Sequence, residues 1–145
     1  MYKLVALWSA PEPGDVDAFE SYYREVHVPK ATVVPGLKRI ALTRIDSGLE
    51  GASAPFYRVA EMFFESPEAM EKSARSDSWN AMRDDARRMI ERFGVTLTVG
   101  MGSVEETNRT RRSGIRASNA VRQDVVRADV AGRLAGRGFD REKTG

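Results

Sequence analysis

Across residues 1–102 the hydrophobic spacing switches between the two-residue repeat of a strand and the three-to-four-residue repeat of a helix in one order, β-α-β-β-α-β, and few folds accept that order. Leu4, Ala6 and Trp8 alternate with Val5, Leu7 and Ser9 until Pro11-Glu12-Pro13-Gly14 ends the run, which predicts a first strand. Phe19, Tyr22, Tyr23 and Val26 recur at i, i+3, i+4 and i+7, one face of a helix, with Asp15 or Asp17 able to cap its start and Asp17 and Glu20 spaced as a capping box. Pro29 disfavours helical backbone at Val28 and predicts that the helix closes there. Two strands follow, over 37–45 after the Pro35-Gly36 turn and over 56–64 after a loop at 46–55 rich in Gly, Ser and Ala. Ser66-Pro67-Glu68 then starts a helix, with serine as cap and proline in the first turn. It breaks near Ser76-Asp77-Ser78 and resumes with Trp79, Met82, Ala86, Met89 and Phe93 on one stripe, up to Gly94. Val95, Leu97 and Val99 alternate with Thr96 and Thr98 into Gly100-Met101-Gly102, the fourth strand.

This is the split βαβ, or ferredoxin-like, α+β topology with an antiparallel sheet. Both helices of that topology lie on one sheet face. Strands one and three are apolar on both faces, so the second face is expected to be covered by another copy, two sheets face to face in a dimeric α+β barrel.

The chain has 145 residues and no cysteine, which removes disulfides, thiolate nucleophiles and iron–sulfur clusters. One histidine and no acidic cluster with ligand spacing argue against a metal site, no glycine loop has the context to cradle phosphate, and no cofactor is expected. The apolar start is too short for a secretory leader core and no run could span a membrane, so a cytoplasmic home is expected. Residues 1–102 carry 13 Lys and Arg against 15 Asp and Glu, whereas 103–145 carry 10 against 6 and lack hydrophobic periodicity. We therefore expect a folded domain over 1–102 and a basic extension of low order over 103–145. Its interleaved acids and its single aromatic, Phe139, argue against nucleic acid as its partner.

With these elements in place, the sequence resembles the EthD family of the dimeric α+β barrel superfamily. The resemblance is carried by Lys3-Leu4-Val5-Ala6-Leu7-Trp8, by Phe19, Tyr22 and Tyr23 leading into His27-Val28-Pro29, and by Pro35-Gly36-Leu37. The strand from Tyr57 to Phe64 and the stretch from Ser78-Trp79 through Asp84 or Asp85 to Phe93 extend it over 1–102. It implies a homodimer, a pocket between sheet and helices, and a His-x-Pro histidine facing that cleft. Relatives include lactone isomerases and cyclase-like enzymes of aromatic polyketide pathways.

His27 is the one side chain ready to exchange protons near neutrality without special tuning. A helix-end histidine that only packs or caps is the bland alternative; at a helix end the dipole would favour its protonated form and burial the neutral one. Tyr23, four residues earlier on the same helical face, can polarise a carbonyl while His27 moves a proton. Trp8, Tyr22, Phe56, Phe63 and Trp79 are candidates for an aromatic pocket wall, against the ordinary reading of such stripes as core. Arg39, Arg44 and Arg58 interrupt strands and could meet a carboxylate or enolate, or else be solvated, and Glu61 could pair with one of them or act as a pocket acid. The leading functional expectation is a cofactor-independent cyclase or isomerase working by proton transfer on a small oxygenated aromatic or polyketide-like molecule, with His27 as base and Tyr23 as helper. The alternative is a small-molecule-binding accessory protein without catalysis.

Overall fold

A computed structural model describes residues 1–108, of which Met1–Glu106 form one compact unit. The expectation for the basic extension falls almost wholly outside the described residues. β1 (Tyr2–Trp8) is central, antiparallel to β3 (Arg58–Phe64) on one side and to β4 (Leu97–Ser103) on the other, and β2 (Arg39–Arg44) adds outside β3. The ferredoxin-like order is thus β2-β3-β1-β4. The two strands with the most continuous apolar content take the two inner positions, where both edges are hydrogen-bonded.

Register decides what each face carries. Leu4 pairs with Met62, Ala6 with Ala60 and Trp8 with Arg58, and these side chains face the helices together with Ile40, Leu42, Val99 and Met101. The opposite face carries Val5, Leu7, Val59 and Phe63, but also Lys3, Arg39 and Glu61. Lys3 and Glu61 form an ion pair there at 2.6 Å, and the Lys3 and Arg39 cations lie over the Phe63 ring at 5.5 and 4.0 Å. That face is mixed, so the expectation of an apolar second face holds only for its centre.

The helical layer comprises α1 (Val16–Tyr22), a π-helical turn (Tyr23–His27), α2 (Val28–Thr32), α3 (Pro67–Ala74) and α4 (Asp77–Phe93). Ser66 and Ser76 cap α3 and α4 by accepting hydrogen bonds from the Ala69 and Trp79 amides, and Gly94 closes α4 at φ +63°. Among the described residues no helix is long and apolar enough to cross a membrane.

Two local expectations are corrected. The first helix does not end at Val28-Pro29: Val28 is helical (φ −58°, ψ −43°), its amide reaches back five residues to the Tyr23 carbonyl, and helix continues to Thr32. The extra residue in that turn lets Pro29 fall in the first turn of a new segment, where its missing N–H costs nothing. The capping box at Asp17 and Glu20 does not form either. A 3-10 turn at Pro13–Asp15 leads into α1, and Glu20 is buried, drawn to Arg58 and Tyr57.

The core falls into two clusters, one around Leu4, Met62, Phe64, Met70 and Trp79, the other around Trp8, Phe19, Tyr23, Met89 and Phe93. At the centre of the sheet the facing pair is Ala6 and Ala60, and the helices opposite present Ala31 and Ala86. Four small side chains where a filled core would place large ones leave a cavity of about 440 Å³ between sheet and helices, lined by all four. Voids of that size are absent from ordinary interiors and usual for ligand sites.

Candidate active site

Trp8, Tyr23 and His27 meet at the buried end of this cavity. The π turn brings the Tyr23 and His27 rings into a near-parallel stack with centroids 6.0 Å apart, and Trp8 closes edge-on over His27 at 5.5 Å. Behind the imidazole, His27 Nδ1 lies 2.8 Å from Oδ2 of Asp85, a carboxylate fully shut off from solvent on the inner side of α4. The Tyr22 hydroxyl donates to the other carboxylate oxygen, Oδ1, at 2.5 Å.

Electrostatics settle which way this dyad runs. Burial pushes the His27 imidazole below the ordinary histidine value, and the Asp85 hydrogen bond, which pulls it up, does not make good the difference. The ring is therefore neutral at pH 7. Asp85 must be met by a proton, so the ring proton sits on Nδ1 and the Nε2 lone pair is left for the cavity. Such a ring can accept a proton at Nε2, and Asp85 then faces the cation that forms. His27 is also not at a helix end, because helix continues beyond it, so the dipole argument for a protonated form does not apply.

Two donors at the same end lack a partner among the described residues: the Tyr23 hydroxyl and the Trp8 indole N–H, both buried. Burial pushes the Tyr23 phenol up to about 12, so it stays a donor. An unmet buried donor costs roughly 1–3 kcal/mol. Among the described residues no group of three or more His, Asp or Glu could hold a metal ion.

The other residues singled out from the sequence separate into three places. Trp79 lines the cavity, at its other end. Tyr22 stands behind His27, on Asp85. Arg39, Glu61 and Phe63 lie on the opposite sheet face, because their positions have the other parity from Met62 and Ala60, and none lines the cavity. Arg58 is on the helix side but its guanidinium is committed to Glu20, and it stacks over the back of Tyr23 at 5.2 Å. Arg44 lies over the Tyr57 ring, and Phe56 is partly exposed before β3. Asp85, central to the geometry, is not among the site residues expected from the sequence and enters there only through the family resemblance. Its signal was available, since it falls between Met82 and Met89 on the apolar stripe of α4, where a carboxylate is out of place unless it has partners.

Residues 12–92 match the model of the EthD domain, and a crystal structure of an ethyl tert-butyl ether degradation (EthD) family protein from Bacillus halodurans is 33% identical, covering 74% of this chain and 99% of that one with a TM-score of 0.58. The chain belongs to the EthD family. Its fold is also that of HapK from Hahella chejuensis (15% identity, 77% of this chain and 99% of that one, TM-score 0.53). SnoaB from Streptomyces nogalater, a cofactor-independent oxygenase, matches at 16% identity over 73% of this chain and 94% of its own, with a TM-score of 0.51. At those identities the likeness is one of fold. No curated protein matches the chain. Within this EthD domain the His-x-Pro histidine does line the cleft between sheet and helices, beside Tyr23.

Proposed function

We propose that this EthD domain is a proton-transfer enzyme, a cyclase or isomerase that uses side chains alone on a small oxygenated aromatic or polyketide-like molecule. The observation that carries this reading is the Tyr22–Asp85–His27 chain, which leaves a neutral imidazole nitrogen at the end of an apolar cavity. A substrate carbonyl oxygen accepts from the Tyr23 hydroxyl, which has no partner among the described residues. His27 Nε2 takes a proton from the carbon next to that carbonyl, and the enolate oxygen keeps the Tyr23 hydrogen bond. The imidazolium, held by Asp85, then returns the proton to a different atom: another carbon in an isomerisation, or the oxygen of an attacked carbonyl in an aldol-type ring closure. The apolar walls keep water from quenching the enolate.

A second copy packed against the open sheet face, over Val5, Leu7 and Val59, would complete the barrel that the family resemblance implies. Sedimentation at micromolar concentration reads that directly.

General-base catalysis of this kind is worth about 10²–10⁴-fold. His27→Ala should lose that much turnover of candidate aromatic ketides, followed by mass spectrometry, while its melting curve stays cooperative. A variant that turns over like the parent removes the mechanism; stoichiometric binding without product by the parent itself favours a non-catalytic accessory role.

A further inference from the structure

Of the described side chains that line the cavity, only Arg83 and Arg87 carry a fixed charge, and none is a carboxylate. Asp85 is screened behind the His27 ring, and Glu20 is paired with Arg58. Both arginines stand on α4, one turn apart. At 100° per residue they share one flank of the helix, while Asp85, midway between them in sequence, points to the other. The cavity therefore has a chemical polarity. Its buried end offers neutral donors and a neutral base, its middle is alanine and methionine, and its exposed end is lined by Arg83 and Arg87 beside Ile90. Arg87 spends one Nη1 hydrogen bond on Asp84 at 3.1 Å, an exposed contact that a ligand anion can displace or share. Among the described residues Arg83 makes no ion pair.

We propose that the molecule taken by this cavity is an amphipathic organic anion, with a keto or phenolic oxygen at the His27 end and a carboxylate held by Arg83 and Arg87 at the mouth. Two arginines one helical turn apart suit a planar carboxylate, each able to present paired N–H donors. The inference deepens the enzyme reading above by naming the charge and orientation of its substrate. It is tested by binding, which needs no turnover.

The probes are 4-(4-acetylphenyl)butanoate and its methyl ester, which share a ketone and an aromatic ring and differ in charge. Both tryptophans of the chain, Trp8 and Trp79, line the cavity, so quenching of intrinsic fluorescence reports occupancy and calorimetry gives the affinity. The acid should bind roughly tenfold or more tighter than the ester at low ionic strength, and added salt should narrow the gap. In the Arg83→Gln/Arg87→Gln double variant the gap should close to about twofold, with the affinity for the ester unchanged. Acid and ester binding alike, a gap that survives the double variant, or no binding of either probe would each overturn the inference. His27→Ala should keep the acid preference even where it abolishes turnover, so a failed mechanism and a failed anion site give different results.

Discussion

Asp85 and His27 are 58 residues apart in the chain and 2.8 Å apart in the fold, a contact that ties the middle of α4 to the π turn. The carboxylate is fully buried and both of its oxygens are spoken for, one by His27 and one by Tyr22. Replacing Asp85 by Asn keeps the shape but removes the charge that stabilises the imidazolium, and an amide can favour the wrong ring tautomer. We expect Asp85→Asn to lower kcat/KM by roughly 10²–10⁴-fold with a far smaller effect on KM. An unchanged kcat would show that Asp85 only packs.

The pH dependence follows from the direction in which His27 is shifted. Its value in the folded protein lies below the 6.5 of an ordinary histidine. Between the two values the unfolded chain binds more protons than the native one, so stability falls as pH drops through that window, and above 6.5 this contribution is fully present. Activity that needs the neutral ring should stay level down past pH 6.5 and then fall with a single protonation. The chain has one histidine, so one Hε1 resonance reports the titration. A midpoint above 6.5 would mean that attraction to Asp85 outweighs burial.

Tyr23→Phe should separate stability from function. Its hydroxyl is buried without a partner among the described residues, so removing it should leave the free protein as stable or stabilise it by about 1 kcal/mol. The same change removes the donor proposed for the enolate oxygen, and kcat/KM should fall by roughly 10²-fold. Denaturant midpoints and steady-state kinetics on one preparation check both halves. A loss of stability equal to the loss of activity would contradict the assignment.

Buried Glu20 and half-buried Arg58 form an ion pair that Tyr57 completes, outside the cavity lining. Burial alone would push the Glu20 carboxyl up; the Arg58 and Tyr57 hydrogen bonds more than offset this and hold it below 4.5. Its stabilisation is present above the unfolded value and is lost as pH falls through the lower, folded one. Glu20→Gln should cost roughly 1–2 kcal/mol at pH 7, because it takes the counter-charge from the half-buried Arg58, and should weaken the acid dependence of the parent. Urea titrations at pH 7 and at about pH 4 make the comparison.

Much of the fold was legible because its signals are local. Alternation marked β1, β3 and β4, and the serines at 66 and 76 and the glycine at 94 marked helix boundaries that the structure keeps. The expectation at Pro29 fails because the rule against a helical residue before proline presumes a regular α-helix, and a π turn is a tertiary compromise with no compositional mark. The site was legible only in part. His27, Tyr23 and Trp8 fall at one end of the cavity, but Arg39, Glu61 and Phe63 were separated from them by strand parity, which needs the register of β1 against β3. The cavity itself follows from alanines meeting across the sheet, Ala6 against Ala60, and such a meeting can be seen only once the strands are paired.

The helix that carries the base holds one residue more than a regular spiral would need between Tyr23 and Val28. With that surplus removed, everything beyond it would swing by about 100° around the axis. The imidazole is aimed by a local miscount, so family members of equal overall shape can differ in whether their histidine looks at a carboxylate or at solvent, and the length of this one turn is the place to look for the difference.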